Sequence, residues 1–237
     1  MLLFYLRHGD PVYSPDSLTP LGQRQAEALG RRLSQLGVDE IYASSSNRAQ
    51  LTAQPACEML RKDMTILDWA NEKYVWAELT VPYGDRVTWV FQHPDWAGLL
   101  ASEEMRRLGR RWYEHPAFSG MAMGEGMKRV QRAVDDWLAG FGYRHDLEKN
   151  MFYCEGGSAK RVALFAHQGF STAFFSCVLD IPYPEYAIHF DMQHSGMSVL
   201  HFPEKEGWVV PKALQISNDA HLYREGLPTL YNYQVRI

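Results

Sequence analysis

The sequence lacks any hydrophobic run long enough to cross a bilayer, and it has no surplus of basic residues. Of its 237 residues, 24 are Lys or Arg and 28 are Asp or Glu, which gives a formal net charge of −4 at pH 7. A membrane-spanning helix needs about 18 consecutive apolar residues, and binding to nucleic acid depends mainly on clustered cations. We therefore expect neither a membrane protein nor a nucleic-acid-binding protein.

Cysteine is scarce, since the chain has only Cys57, Cys154 and Cys177. An odd number of cysteines without C-x-x-C spacing gives no disulfide framework and indicates reduced thiols. The apolar residues 1–6 have no basic leader before them and run directly into Arg7, so they do not read as a signal peptide. These features predict a cytoplasmic protein.

The sequence also lacks the short motifs of common metal and nucleotide sites. None of its 9 histidines stands in H-x-H or H-E-x-x-H spacing, which frequent zinc sites use. A glycine-rich phosphate loop of the nucleotide-binding type is missing as well. We therefore expect no metal ion and no cofactor, and the chain resembles neither a kinase nor a dehydrogenase.

What the sequence does contain is an alternation of strand and helix patterns. Residues 2–6 are apolar throughout, as in a strand buried on both faces, and Thr19 and Pro20 then begin a helix that Gly37 ends. Apolar runs return at 162–166, 198–202 and 213–217. This order predicts an α/β fold, a three-layer sandwich in which helices flank a mostly parallel central sheet.

The middle of the chain has a different character. Residues 69 to about 150 carry mainly helical signals and many aromatic side chains, with Ser102 as a helix cap and Met127, Val130 and Val134 along one helical face. A length of 237 residues is typical of one large domain. We predict a single domain, 1–237, with a mainly helical cap inserted at about 69–150.

Polar side chains follow the predicted strands at the points where each strand ends. In chain order they are Arg7 and His8, then Arg48, then Glu72, then His167 and Gln168. The carboxyl ends of parallel strands meet at one edge of a sheet, and ligands bind there. We therefore expect two arginines, two histidines and one glutamate to converge.

This set of side chains suits the transfer of a phosphoryl group. Guanidinium groups match phosphate oxygens in pairs and stay charged, and a neutral imidazole can attack phosphorus. A protonated carboxyl group can supply the proton that the leaving oxygen needs. Backbone N–H groups after His167, where a helix begins, would add an anion site.

Motifs in the same order resemble the histidine phosphatase superfamily, a group similar to phosphoglycerate mutase. The matching segments are Arg7-His8-Gly9, Leu18-Thr19-Pro20-Leu21-Gly22-Gln23-Arg24-Gln25-Ala26, Ser44 with Arg48-Ala49 and Thr52-Ala53, His167-Gln168-Gly169, and residues 218–222. Each motif is short, but together they extend over nearly the whole chain.

The resemblance implies roles for these side chains. His8 would be the phosphorylated nucleophile, Arg7, Arg48 and His167 would bind the phosphoryl group, and Gln168 would contact the substrate. Glu72 stands where the family places its proton donor. Glu78 and Asp68 are near it in sequence, and motif position alone favours Glu72.

The sequence departs from the mutases of this family at three points. After Arg-His-Gly these usually read Glu-x-x-x-Asn, whereas here residues 10–14 are Asp-Pro-Val-Tyr-Ser. The Gly-Glu-Ser of the second cap helix is replaced by Gly-Glu-Gly at 124–126. The cap has no clear Lys-Arg cluster for holding a second acidic group; the Arg pairs at 106–107 and 110–111 are candidates, but their helical pattern favours a solvated face. These differences favour hydrolysis.

The first hypothesis is therefore a metal-independent phosphatase that hydrolyses small-molecule phosphate monoesters through a phosphohistidine on His8. One alternative is a cofactor-dependent phosphoglycerate mutase, and another is a non-catalytic module that binds a phosphorylated ligand. The substrate and the oligomeric state are not predicted. Aromatic residues of the cap, such as Trp76 and Trp89, would favour an apolar or aromatic leaving group if they face the pocket.

Overall fold

The structure is a computed structural model that describes residues 1–233 and 235. A six-stranded sheet forms its centre. Shorter strands form two hairpins and a three-stranded sheet. Along the chain the strands are β1 (Leu2–Arg7), β2 (Pro11–Tyr13), β3 (Asp16–Leu18), β4 (Glu40–Ser44), β5 (Met64–Leu67), β6 (Thr80–Tyr83), β7 (Arg86–Trp89), β8 (Tyr143–Asp146), β9 (Met151–Cys154), β10 (Arg161–Ala166), β11 (Met197–His201), β12 (Gly207–Val209) and β13 (Lys212–Asn218).

The strand order of the central sheet is β13-β11-β1-β10-β4-β5. β1, β10, β4 and β5 pair in parallel, while β11 runs antiparallel to both β1 and β13. In the register of β1 and β10, Arg7 lies opposite Ala166. The residues that follow these two strands, His8 and His167, are therefore brought to the same edge, as the sequence predicts.

Helices cover both faces of this sheet, and the predicted three-layer α/β class is confirmed. Within residues 1–233 and 235, no helix is both long and apolar enough to span a membrane. The helices are α1 (Pro20–Leu36), α2 (Asn47–Leu60), α3 (Glu72–Leu79), α4 (Pro94–Leu100), α5 (Glu103–Leu108), α6 (Met123–Ala139), α7 (Gln168–Leu179), α8 (Tyr183–His189) and α9 (Ala220–Arg224), with 3₁₀ turns at Asp68–Ala70, Gly109–Glu114 and Pro116–Phe118.

The central strand β1 shows why the layers form. Its side chains alternate between faces, so Leu3 and Tyr5 join one core while Phe4 and Leu6 join another. The first core contains residues of α6, α7 and α8, and the second contains residues of α1 and α2. A strand buried on both faces must be apolar throughout, which is the pattern seen in residues 2–6.

The segment between β5 and β8 is mainly helical, but it also contains the β6–β7 hairpin. The sequence analysis does not anticipate this hairpin. Its strands have four residues each, one of them Pro82, so they give little β-signal. Gly84, with φ +59°, makes the turn between them. The hairpin brings Trp89 back towards α3, which matters for the site described below.

A buried ion cluster joins α6, β8 and the end of α7. The His145 side chain is 0 % exposed, with Nδ1 2.9 Å from Asp135 and Nε2 3.1 Å from Asp180. Arg110 also pairs with Asp180. Burial alone would lower the pKa of His145, but the hydrogen bonds to the two carboxylates outweigh it and raise that pKa to about 9. His145 is therefore an imidazolium at neutral pH.

We expect His145→Gln to lower the free energy of unfolding by about 3 kcal/mol near pH 6, because it removes one partner of a buried ion pair. Because the pKa of His145 is raised on folding, its charge stabilises the folded state fully below the unfolded pKa of 6.5, and this stabilisation is lost as the pH rises through about 9. The cost of the substitution should therefore shrink above that pH. Urea denaturation across this range measures it, with His189→Gln on the exposed end of α8 as the control. A cost that is the same at all pH values would contradict the prediction.

Candidate active site

Arg7 and His8 lie at the end of β1 and are almost fully buried, each 1 % exposed. The Arg7 guanidinium donates to the carbonyl of Met192 and to Asn232 Oδ1. Its Nε has no hydrogen-bond partner among the residues that the structure describes. A buried cation with one unused donor suits an anionic ligand, because an unpaired buried donor is costly.

The His8 imidazole is held in one orientation by the backbone. Its Nδ1 lies 2.7 Å from the carbonyl oxygen of Gly9, which can only accept, so Nδ1 carries the proton and Nε2 the lone pair. Burial, followed by the nearby His167, Arg7 and Arg48, lowers the pKa of His8 well below its usual value. His8 is therefore a neutral base with Nε2 available.

The loop after β1 is fixed by the residues of two sequence motifs. Gly9 N–H donates to Thr52 Oγ1 at 3.0 Å, and Asp10 N–H donates to Gln25 Oε1 at 2.8 Å. A Cβ on Gly22 would lie 2.2 Å from the Asp10 carbonyl oxygen, so only glycine allows α1 to approach so closely. These motifs therefore position the backbone that carries His8.

Arg48 projects from the first turn of α2, which Ser46 caps. One Nη donates to Asp16 at 2.8 Å and the other to Glu72 Oε2 at 3.1 Å. Like that of Arg7, its buried Nε has no partner within residues 1–233 and 235. Two guanidinium groups therefore each keep one buried donor for a ligand.

Of the three nearby carboxylates, only Glu72 lies with the histidines. Its Oε1 accepts from Gly169 N–H at 2.8 Å, and its Oε2 lies 3.8 Å from His167 Nδ1. Glu78 instead pairs with Arg129 of α6, at 2.9 and 2.6 Å. Asp68 is exposed and accepts from the hydroxyl groups of Ser45 and Tyr74. Of these three carboxylates, the structure thus places Glu72, which motif position favours, beside His167.

His167 begins α7 and is fully buried against His8, with the ring centroids 5.3 Å apart. Its Nε2 lies 2.8 Å from Ser44 Oγ, while its Nδ1 has no partner in the described part of the chain. Burial, then Arg48 and Arg7, lowers the pKa of His167 well below its usual value. The next residue, Gln168, is also buried, and its Oε1 has no partner among these residues.

The structure adds His194, to which the sequence analysis gives no role. Its ring stacks on His8 at a centroid distance of 6.0 Å, and its Nδ1 lies 3.2 Å from Asp10 Oδ1. Burial, then Arg7, lowers its pKa to about 3, so it too is neutral. The segment before β11 carries no motif at His194 that would have indicated this contact. The loop geometry alone brings it to His8.

His8, Glu72 and His167 each have one possible metal-ligand atom, and these three atoms lie within 4.8 Å of one another. Such a set could ligate a metal ion, and its members are too far apart in sequence for spacing rules to find. Arg7 and Arg48, however, place positive charge close to both histidines and lower their pKa values, and this charge favours an anion over a cation. The absence of a metal stays a prediction.

A cavity of about 450 Å³ opens onto Arg48 and Glu72. It is wide enough for a small molecule and is bounded on one side by the cap segment. Its walls are formed by Tyr13, Arg48, Asn71, Glu72, Lys73, Trp76, Trp89, Gln92 and Asn232.

Comparison with known proteins agrees with the motifs. Residues 3–79 match the model of the histidine phosphatase superfamily (branch 1), so the resemblance noted in the sequence is confirmed. No curated protein matches the chain in sequence.

Several solved structures are similar in fold. A phosphoserine phosphatase from Entamoeba histolytica, in complex with 3-phosphoglyceric acid, is 16% identical, with 93% of this chain and 98% of that chain covered and a TM-score of 0.58. A mycobacterial glucosyl-3-phosphoglycerate phosphatase with inorganic phosphate is 21% identical, with 93% and 98% covered and a TM-score of 0.59. A protein described as mycobacterial hydrolase 1 is 18% identical, with 92% and 98% covered and a TM-score of 0.59. At these identities the likeness shows the fold.

Proposed function

We propose that this chain, similar over residues 3–79 to the histidine phosphatase superfamily, is a phosphatase that hydrolyses monoesters of small molecules. The observation that carries the proposal is a cluster of buried nitrogens, Arg7 Nε, Arg48 Nε and His167 Nδ1. None of them has a partner among residues 1–233 and 235. Their side chains all act electrostatically on His8, an imidazole whose free lone pair is on Nε2. A phosphoryl group would supply the oxygens that these nitrogens lack.

In the proposed first step, His8 Nε2 attacks phosphorus and forms an N–P bond. The bond from phosphorus to the ester oxygen breaks, and its electron pair stays on that oxygen, which takes a proton from Glu72. Arg7 and Arg48 stabilise the charge on the three other oxygens, and the first N–H groups of α7 add to this stabilisation. The product of this step is the free alcohol and a phosphohistidine.

In the second step, Glu72 accepts a proton from a water molecule, whose oxygen attacks phosphorus. The N–P bond breaks and its electron pair returns to His8 Nε2. Inorganic phosphate leaves, and Glu72 is again protonated for the next substrate. One carboxyl group thus serves as acid and then as base.

Ion pairs in the cap favour hydrolysis over the mutase reaction. A mutase must hold the second acidic group of a phosphoglycerate, and the cap arginines were the candidates for this task. Arg107 pairs with Glu103 at 2.6 Å, Arg111 lies 3.7 Å from Glu114, and Arg110 pairs with Asp180. These three cations are thus engaged with carboxylates of the chain, and neither they nor Arg106 is among the residues that line the cavity.

We also propose that the chain is one domain, 1–237, with residues 69 to about 150 as a cap over the site. The cap supplies Glu72, Lys73, Trp76, Trp89 and Gln92 to the cavity wall, whereas Arg7, His8, Arg48 and His167 come from the central sheet or adjoining helix ends. This division separates substrate selection from phosphoryl binding.

A panel of phosphate monoesters tests the proposal. We expect release of inorganic phosphate, unchanged activity in excess chelator, and inhibition by orthovanadate, which mimics the five-coordinate phosphorus. Incubation with 3-phosphoglycerate should yield no 2-phosphoglycerate, with or without 2,3-bisphosphoglycerate. Loss of activity with chelator would point to a metal enzyme, and formation of 2-phosphoglycerate would point to a mutase. Vanadate binding without turnover of any ester would favour a binding module.

A further inference from the structure

Two tryptophans, Trp76 and Trp89, form one wall of the cavity, which we call the tryptophan wall. Trp76 lies four residues after Glu72 on α3, so both side chains project from the same face of the helix. Val75 and Leu79, three and seven residues after Glu72, lie beside them on the helix and are buried in the core. Trp76 is 38 % exposed, although a tryptophan ring is mostly buried in folded proteins. Helix α3 therefore presents a carboxylate and an accessible aromatic ring together.

Trp89, at the end of the hairpin, completes the wall. Its ring stands at 89° to that of Trp76, with the centroids 4.8 Å apart, and it is only 5 % exposed. On its other side it presses on Gly169, where a Cβ would lie 2.1 Å from Trp89 Cζ2. Gly169 N–H is the donor that holds Glu72 Oε1. The wall thus begins where the leaving oxygen would receive its proton.

Lys73 and the exposed Gln92 also line the cavity, whereas other polar groups there are engaged within the chain. The Asn71 side chain donates to Ser45 and accepts from Lys73 N–H, and Asn232 Oδ1 accepts from Arg7. Opposite, the ring of Tyr13 lies over the Arg48 guanidinium at 5.4 Å. A polar leaving group would thus find mainly Lys73 and Gln92 as partners, whereas a flat apolar ring would find the aromatic surface of the tryptophan wall.

We propose that this site selects phosphate monoesters whose alcohol carries a flat, apolar ring, and that the ring packs on the tryptophan wall. The inference rests on the proposed phosphatase function and names the substrate class of the same site. It assigns Trp76 as a specificity-determining residue, since its ring is accessible, while Trp89 supports it from behind.

Benzyl phosphate and propyl phosphate test this, because both are alkyl esters and differ mainly in the ring. We expect the protein to favour benzyl phosphate in kcat/KM by about 10-fold or more, since a ring gains both burial and aromatic contact. Trp76→Ala should lower kcat/KM for benzyl phosphate about 10-fold and that for propyl phosphate less than about 2-fold, and Trp76→Phe should restore most of the loss. Trp208→Ala, which removes a 45 % exposed ring outside the cavity, is the matched control.

The outcomes separate the two proposals. Suppose that His8→Ala abolishes turnover of both esters. The substrate inference is then wrong, and the phosphatase function stands, if Trp76→Ala lowers turnover of both esters equally. The same conclusion follows if the protein shows no preference for the ring or prefers a small sugar phosphate. If His8→Ala still turns over either ester, or the unmodified protein turns over neither and no other ester, the proposed function is wrong, and the inference falls with it.

Discussion

His8→Ala is expected to lower kcat/KM for phosphate monoesters by about 10⁴-fold or more, which is the scale of losing a catalytic nucleophile. The reason is that Nε2 of His8 carries a lone pair, because the hydrogen bond to Gly9 keeps the proton on Nδ1. Its Nδ1 is tied to Gly9, and burial with three neighbouring cationic or imidazole groups keeps its pKa well below the usual value. Alanine leaves the guanidinium groups in place but gives phosphorus nothing to bond to.

The fold should survive this substitution. Among residues 1–233 and 235, the His8 side chain makes one hydrogen bond, to the backbone beside it, while the loop is held by Thr52 and Gln25. The thermal midpoint and the affinity for vanadate or phosphate should therefore stay near those of the unmodified protein, and His189→Ala on exposed α8 should keep full activity. Turnover that persists in the folded His8 variant would remove the phosphohistidine mechanism.

Glu72→Gln is expected to lower kcat for an alkyl phosphate about 10²- to 10⁴-fold, the usual range for removing a general acid. An aryl phosphate needs no proton on its leaving oxygen, so its first step should be much less affected. The second step still requires a base, and the phosphohistidine should therefore accumulate. Rapid-mixing experiments with 4-nitrophenyl phosphate would show this as a burst of nitrophenol followed by slow turnover.

Glu78→Gln is the matched control, since it removes a carboxylate from a different face of the same helix, α3. Glu78 pairs with Arg129, at 2.9 and 2.6 Å, and lines no part of the cavity. We expect activity within about 2-fold of the unmodified protein and a loss of about 1 kcal/mol in the free energy of unfolding, as for a partly exposed ion pair. A larger loss of turnover in the Glu78 variant than in the Glu72 variant would transfer the proton-donor assignment to Glu78.

The sequence predicts the parts of this molecule that depend on regular geometry. A strand that is apolar on both faces must lie inside a parallel sheet, and the parallel register then places the residues after β1 and β10 side by side. For that reason the sequence alone predicts Arg7, His8 and His167 at one edge of the sheet. Capping by Thr19 and Ser102 was equally readable, because the signal is local.

What the sequence did not predict depends on how loops and helix faces meet. The choice between Glu72 and Glu78 rests on the direction that each takes from α3, since residues six apart in a helix lie on different faces. His194 and Asn232 reach the site from irregular segments, for which no periodicity exists. The Asp135–His145–Asp180 cluster joins α6, β8 and the end of α7, and the sequence of none of these elements predicts the contact.

The contact between Trp89 and Gly169 gives the two tryptophans unequal freedom to change. A different side chain at Trp89 would alter what presses on Gly169, and through its N–H the placement of Glu72. Trp76 instead lines the cavity and is 38 % exposed. Proteins with this architecture should thus diversify their choice of alcohol by exchanging residues like Trp76, while the ring against the glycine stays constrained by catalysis.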